Sequence, residues 1–275
     1  MLKEVLLDAL KNRDKISYVK DSNFAKILSE ASSRWVPYDP SPEKCETVGV
    51  DSSWNKRAFQ GLQLYVIDAV AVTSANEILA TEWEHDIAGT ARVEFLESKA
   101  MTMEASVAQE AAGKVDIVCV DGSLISRLLK SAAEASFEMV KKCNSCTFIS
   151  KSSESRLQFG NMESRAGDIY YYAHIGKKAG FSVPVESQFR YASLFEVYAR
   201  LRDDTPIIRI EIIGKMTNQE LMKILDKLRY RSVAGYPYCL KLAHNTCKIS
   251  NEDIDRLASI FGLRHEQGAR DVLNE

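Results

Sequence analysis

Two aspartates follow two apolar runs of similar composition. The run TVGV ends in Asp51 before two serines, and the run IVCV ends in Asp121 before Gly122 and Ser123. An aspartate before glycine or serine is ordinary turn chemistry, and that alternative stays open for each residue taken alone. Ligands of α/β proteins, however, bind at the carboxyl ends of strands. Because both acids follow predicted buried strands, we expect them to lie at one site.

A third acid is predicted to face inward from a helix. Residues 90–113 place their apolar side chains within one arc of a helix at about 100° per residue, and Glu104 falls within that arc. A carboxylate on a core-facing stripe is costly unless it is hydrogen-bonded, protonated or bound to a cation. Glu104 therefore joins the two aspartates, reaches solvent at the margin of the stripe, or meets an arginine.

Three converging carboxylates indicate a metal site. Their negative charges repel one another unless a divalent cation neutralises them, and oxygen ligands suit Mg²⁺ or Mn²⁺. Such an ion activates water and stabilises the leaving oxygen of a phosphodiester. The residue types are therefore compatible with metal-dependent hydrolysis of a phosphodiester, and they do not by themselves specify the substrate.

The elements expected around these acids follow the order of a ribonuclease-H-like core. Two amphipathic helices and a proline-rich connector come first, at 1–12, 22–34 and 36–44. Hydrophobic periodicity then predicts three strands, a helix, a strand, a helix and a strand, at 47–53, 62–74, 77–86, 90–113, 116–123, 126–143 and 147–153. We predict an α/β fold: a ribonuclease-H-like core with a mixed sheet, plus N-terminal and C-terminal helical additions.

The second half of the chain is expected to complete this core. Residues 154–182 show no assignable pattern, whereas 193–201 and 206–214 alternate like a hairpin. Later helices are predicted after the capping box of Thr217 and Glu220, after Pro237, and after Ser250. We expect a single domain over 1–275, with an N-terminal arm at 1–44, the core at 45–153 and its completion at 154–275.

Length and composition set broad limits on function. The 275 residues are 45% hydrophobic and carry a net charge of −2, which fits one large domain and gives no bulk basic signature for nucleic acid. No apolar run approaches the roughly 20 residues of a membrane span, so we expect a cytoplasmic protein. The six scattered cysteines do not form a disulfide framework, and Cys143 and Cys146 lack the second ligand pair of a structural zinc site.

Several strings resemble the NurA nucleases of archaea. They are GVDSSW, VDIVCVDGSL, FISKSS, IIRIE and GYPYCLKLAHN, in this order along most of the chain. The resemblance implies a ribonuclease-H-like homodimer with a central channel, which cleaves single- and double-stranded DNA with Mn²⁺. It implies 5′-to-3′ exonuclease and single-strand endonuclease activity, with a hexameric HerA ATPase as partner in DNA end resection.

The resemblance also assigns roles to individual residues. Asp51, Asp121 and Glu104 match the acids of the family, and His244 is implied as a further metal ligand, phosphate contact or proton donor. Tyr236 and Lys151 match two more site positions. Without the resemblance, His244 is an ordinary satisfied or exposed side chain, Tyr236 packs a turn, and Lys151 is a solvated strand end. Arg209 and Glu211 match a strand motif with no chemical step assigned.

Two other functions are compatible with parts of the sequence. GVDSS resembles the first phosphate loop of actin-like and sugar-kinase-like ATPases, but no second such loop follows. A non-catalytic DNA-binding adaptor of a translocase would keep the fold and lose the metal, and the intact acids argue against it. Scattered cations and a tyrosine run are weaker DNA-contact candidates, equally explained by solubility and strand packing, at Arg156, Arg165, Lys177, Lys178, Arg190 and 170–172.

Overall fold

One large mixed sheet dominates the fold. The computed structural model describes residues 1–13, 22–130, 133–190 and 192–263. The strands of these ranges are β1 Trp35–Pro37, β2 Thr47–Phe59, β3 Leu62–Thr73, β4 Ile78–Ala88, β5 Ile117–Asp121, β6 Thr147–Ser150, β7 Gly180–Ser182, β8 Val185–Gln188, β9 Ser193–Arg200, β10 Ile208–Ile213, β11 Ser232–Val233 and β12 Tyr236–Pro237. The sheet order is β1-β7-β9-β10-β6-β5-β2-β3-β4, with β8 on β9, while β11 and β12 form a separate hairpin.

Helices precede, connect and follow the strands along the chain. They are α1 Lys3–Lys11, α2 Ser22–Ser33, α3 Val93–Ala111, α4 Leu124–Lys130, α5 Ala133–Lys142, α6 Asp168–His174, α7 Asn218–Tyr230, α8 Tyr238–Cys247 and α9 Asn251–Ile260. Both predicted capping boxes are present, at the starts of α7 and α9. Within the described ranges, no helix has the length and apolarity to cross a membrane.

The parallel centre of the sheet brings the two aspartates to the same level. β2 pairs with β5 in parallel, and the last pair of that register is Val50 with Val120. β5 in turn pairs in parallel with β6, while β3 and β10 flank this centre in antiparallel. Asp51 and Asp121 each follow the last pair directly, so the register alone places them side by side.

The predicted end of the first core strand is wrong. β2 continues without a turn through Ser52 and Ser53 to Phe59, paired with β3 along its whole length. Asp51 therefore lies inside a long strand, at the point where its parallel neighbour β5 stops. The stretch GVDSS consequently forms no phosphate loop, which removes the basis of the ATPase alternative.

Different helices cover the two faces of the sheet. Val48, Val50 and Val120 pack with α3 in the largest core cluster. Cys119 packs with Leu240 of α8 on the opposite face. Gly49 allows α8 to approach closely, because a Cβ at this position would lie 2.4 Å from the carbonyl carbon of Cys239.

Other segments differ from the sequence predictions. The single helix expected at 126–143 consists of α4 and α5, with residues 131 and 132 outside the described ranges. The unassigned stretch 154–182 contains α6 and β7, so the tyrosine run is helical rather than extended. Tyr171 and Tyr172 are buried and their rings pack against Phe159, which removes them as base-stacking candidates. β1 joins the sheet from within the segment predicted as an arm.

Candidate metal centre and active site

Asp51, Asp121 and His244 form a candidate metal centre. One ligand atom from each lies within 4.8 Å of the others. Asp51 is buried in β2, Asp121 ends β5, and His244 is an exposed residue of α8. Strand alternation directs both aspartates to the face that α8 covers. Two carboxylates and one imidazole are donors that suit Mn²⁺, so the residues fit the ion that the sequence implies.

Asp51 lies in an environment that disfavours its charged form. Burial raises the pKa of its carboxyl to about 6, and the nearby Glu104 and Asp121 add to this rise. His244 Nδ1, at 2.9 Å from Oδ2, and the amide of Ser52, at 2.9 Å from Oδ1, act in the opposite direction. A cation at this position would relieve the repulsion among the acids.

Tyr236 and Arg127 form hydrogen bonds to Asp121, the residue before the turn at Gly122. The Tyr236 hydroxyl donates to Asp121 Oδ1 at 2.9 Å, and Arg127 Nη2 donates to the backbone carbonyl of Asp121 at 2.7 Å. Burial and the Asp121 carboxylate raise the pKa of Tyr236 far above its ordinary value, so it remains a donor. Gly122 has a φ of 91°, which a residue with a side chain would adopt only with strain.

Glu104 meets an arginine, one of the alternatives left open by the sequence. It is 3% exposed, forms an ion pair with Arg127, and accepts a hydrogen bond from Ser52 Oγ at 2.5 Å. It lies outside the group formed by Asp51, Asp121 and His244 because α3 packs on the other face of the sheet. It nevertheless lines a cavity of about 390 Å³ together with Asp51. Its role as a metal ligand stays a prediction.

Lys151 places a cation beside the acids. It follows β6, and its Nζ lies 4.5 Å from the ring centroid of Tyr236. Lys151, Asp51 and Asp121 line one open cavity of about 430 Å³. Because its charge faces the same space as the carboxylates, Lys151 is placed to contact an anionic group that the centre binds.

A buried ion network supports the turn after Asp121. Arg209 pairs with Glu196 and with Glu211, at 2.8 Å for the latter, and all three side chains are at most 2% exposed. Ser123 Oγ donates to Glu211 at 2.6 Å and accepts from Arg209 Nη1 at 3.0 Å. The sequence signal for this network is the pair of charges two residues apart in the apolar strand IIRIEII. Arg127, by contrast, gave no sequence signal.

Two of the weaker DNA-contact candidates already pair with acidic side chains. Lys178 donates to Asp203 at 2.7 Å, and Lys177 lies 3.5 Å from Asp204, which favours a structural or solvated role for both. Cys143 and Cys146 are buried, and the Cys143 thiol contacts Met139 Sδ at 3.5 Å.

Known proteins share sequence and fold with this chain. Residues 45–249 match the NurA domain. A protein of Sulfurisphaera tokodaii, described as the DNA double-strand break repair nuclease NurA, is 26% identical over 131 residues, which is 42% of this chain and 38% of that protein. A protein of Saccharolobus solfataricus with the same description is 27% identical over the same shares. The matched stretch therefore spans about two fifths of these relatives.

The solved structures extend the likeness to the whole fold. The NurA nuclease from Sulfolobus solfataricus superposes with a TM-score of 0.81 at 18% identity, covering 95% of this chain and 97% of that chain. A crystal structure of NurA bound to dAMP and manganese gives a TM-score of 0.62 at 13% identity, with 98% and 96% covered. The predicted fold class, an α/β ribonuclease-H-like core, is confirmed. Since the domain match covers well over half of its residues, the chain belongs to the NurA family.

Proposed function

We propose that this protein is a metal-dependent deoxyribonuclease that hydrolyses phosphodiester bonds. The observation that carries the proposal is the convergence of Asp51, Asp121 and His244 from three elements onto one space. Membership of the NurA family supports it. So do relatives described as DNA double-strand break repair nucleases and a related structure that holds dAMP and manganese.

Each residue of the candidate site has its own proposed chemical role. Asp51, Asp121 and His244 would hold Mn²⁺, or alternatively Mg²⁺, and Glu104 is proposed as a further ligand. The bound ion supplies a nucleophilic water at neutral pH and stabilises charge on the leaving oxygen. Tyr236 fixes Asp121 through its hydroxyl, and Lys151 offsets negative charge on the scissile phosphate. Alternatively, His244 does not bind the ion, and its exposed imidazole contacts the phosphate or gives a proton to the departing oxygen.

The finer activity is proposed from the family. It comprises 5′-to-3′ exonuclease and single-strand endonuclease action on DNA, carried out by a homodimer in the cytoplasm together with a hexameric HerA ATPase. The biological setting is DNA end resection in double-strand-break repair. The single-domain organisation over 1–275 belongs to the same proposal.

The decisive experiment removes one acid at a time. Asp51→Ala and Asp121→Ala should each lower Mn²⁺-dependent cleavage of labelled single-stranded DNA at least 100-fold, because each deletes a ligand while the sheet keeps its core. Asp86→Ala, an exposed acid on the edge strand β4 of the same sheet, is the matched control. EDTA should abolish cleavage by the unmodified protein. Full activity in either purified site variant would refute the assignment.

A second experiment tests the finer activity. Duplexes labelled at the 5′ or the 3′ end, with and without a hexameric HerA ATPase, distinguish the direction of digestion and any dependence on the partner. DNA binding without cleavage at any Mn²⁺ concentration would instead support the non-catalytic adaptor.

A further inference from the structure

Glu104, the acid proposed as a further metal ligand, already has a cation bound to its carboxylate. Arg127 of α4 pairs with Glu104 Oε2 through Nη1, and its Nη2 lies 3.5 Å from Oε1. Ser52 Oγ donates to the same Oε1 at 2.5 Å. Both carboxylate oxygens therefore have partners, and an ion can bind to one of them only by replacing a hydrogen-bond donor.

Arg127 also lies between Glu104 and the two aspartates. Its Nη2 donates to the backbone carbonyl of Asp121 at 2.7 Å. Burial opposes the charge of Arg127, but Glu104, Asp51 and Asp121 outweigh this effect and raise its pKa above the ordinary value. The guanidinium therefore supplies part of the charge compensation that a divalent ion would otherwise give to these acids.

The side chain of Arg127 has room to leave Glu104. It is 22% exposed, whereas the side chain of Glu104 is 3% exposed. Arg127 lines the cavity of about 390 Å³ that contains Glu104 and Asp51, and also the open cavity of about 430 Å³ that contains Asp121. A change of side-chain rotamer would therefore move the guanidinium from one cavity into the other.

The helix that carries Arg127 has an anchor of its own. Glu211 of the buried strand β10 accepts hydrogen bonds from Ser123 Oγ at 2.6 Å and from the amide of Ile125 at 2.9 Å. These bonds hold the start of α4 on the sheet without any contribution from Glu104. The ion pair between Arg127 and Glu104 can therefore open while α4 keeps its position.

We propose that Arg127 competes with the metal ion for Glu104. In the metal-free protein the guanidinium holds the carboxylate. When an ion is bound by Asp51, Asp121 and His244, Arg127 releases Glu104 to it and turns toward the open cavity. Arg127 is a positioning residue, because it acts on the ion through Glu104. The inference rests on the proposed function, in which Glu104 is a ligand, and adds the residue that decides when Glu104 is available.

A double-mutant cycle on Mn²⁺ affinity tests this competition, by calorimetry on the full chain without DNA. Arg127→Met removes the guanidinium, and Glu104→Gln removes the carboxylate charge but keeps an acceptor for Ser52. With Glu104 present, Arg127→Met should tighten Mn²⁺ binding about tenfold or more, a coupling within the range measured between contacting residues. In the Glu104→Gln background it should change the affinity no more than Lys151→Met does, since each then removes only a nearby positive charge.

The sign of the change separates competition from a structural role. An arginine that only supported the fold would weaken Mn²⁺ binding when removed. Weaker binding in Arg127→Met, or the same fold-change with and without Glu104→Gln, would overturn the inference. Arg127→Lys keeps a cation beside Glu104 and should tighten binding by a smaller factor. Weaker binding in Arg127→Lys would overturn the inference even if Arg127→Met failed to fold.

Thermal unfolding of the same variants gives a second readout. Without metal, Arg127→Met leaves Glu104 buried and without its cation, so the melting temperature should lie below that of the unmodified protein. The ion then pairs with Glu104, and tighter binding to the folded state gives a larger stabilisation. The rise caused by a given Mn²⁺ concentration should therefore be larger in Arg127→Met than in the unmodified protein. An equal or smaller rise would overturn the inference.

A cleavage assay on the unmodified protein distinguishes failure of this inference from failure of the nuclease proposal. The expected coupling between Arg127 and Glu104, found in a protein that never cleaves DNA, would support the competition and refute the nuclease proposal. Mn²⁺-dependent cleavage of labelled DNA without that coupling would refute the competition and leave the nuclease proposal intact.

Discussion

Asp51 is the residue whose protonation should govern metal binding. Its pKa is raised to about 6 by burial and by the neighbouring Glu104 and Asp121. Below that pH the carboxyl holds a proton that a metal must displace, so affinity for Mn²⁺ should fall about tenfold per pH unit below 6 and level off above 7. Calorimetric titration between pH 5 and pH 8 measures this. A flat profile over that range would contradict the assignment of Asp51 as a ligand.

The raised pKa of Asp51 also affects the stability of the metal-free protein. The unfolded chain releases the Asp51 proton near pH 4, whereas the folded chain keeps it to about pH 6. The folded state therefore binds more protons between these values. By linkage, the Asp51 contribution to the free energy of unfolding decreases as pH rises through this window.

Tyr236 should act through Asp121 rather than on DNA alone. Tyr236→Phe removes the hydroxyl that donates to Asp121 and keeps the ring that faces Lys151. Loss of such a supporting hydrogen bond should weaken Mn²⁺ binding about 10- to 100-fold. Calorimetry with Mn²⁺ in the absence of DNA measures the effect, with Tyr230→Phe as the control. Unchanged Mn²⁺ affinity together with reduced cleavage would place the role of the hydroxyl on the substrate instead.

At the residue scale, the acids of the site could be predicted from the sequence, whereas most of the residues that contact them could not. The inward position of Glu104 followed from helical periodicity, and its burial confirms that position. The ion pair between Glu104 and Arg127 could not be predicted from the sequence, because no local pattern links a residue of α3 to one of α4. His244 and Tyr236 were implied by the family strings alone, since a single histidine or tyrosine carries no periodic signal.

At the scale of elements, the contact between β2 and α8 decides the geometry of the centre. Gly49→Ala would place a Cβ 2.4 Å from the Cys239 carbonyl group and 2.6 Å from the Leu240 nitrogen. Backbone atoms cannot rotate away, so α8 must move off the sheet and take His244 with it. We expect a loss of about 1–3 kcal/mol in the free energy of unfolding and weaker Mn²⁺ binding. Urea unfolding and a Mn²⁺ titration measure both.

Gly89→Ala is the matched control for this element. A Cβ at Gly89 meets no atom within 4 Å, so stability and metal affinity should not change. If Gly49→Ala matched this control in both measurements, close packing of α8 would have no part in forming the centre.

The elements themselves were largely readable from periodicity, and the exceptions have physical causes. The hairpin of β3 and β4, the helix α3 and the pair β9–β10 were predicted close to their observed bounds. β2 was predicted too short because Asp51-Ser52-Ser53 has the composition of a turn. Pairing with β3 on one side keeps these polar residues extended, and that tertiary contact is invisible in the local sequence.

At the scale of the whole molecule, metal binding should be coupled to stability. An ion that binds only the folded state raises the free energy of unfolding by about 2.7 kcal/mol at 100 times its dissociation constant. Mn²⁺ should therefore raise the melting temperature of the unmodified protein by several degrees. Asp121→Ala should abolish that rise and Asp86→Ala should preserve it, as measured by differential scanning calorimetry. An equal rise in Asp121→Ala would locate the stabilising ion elsewhere.

The hydrogen bond between His244 and Asp51 joins residues 193 positions apart in the chain. Contacts of such long range close late in folding, because a large loop must be ordered before they form. A chain still emerging from the ribosome carries Asp51 and Asp121 long before it carries His244. The proposed DNA-cutting activity would thus arise only after His244 has been synthesised, and fragments released by proteolysis or premature termination before His244 would lack this proposed metal ligand.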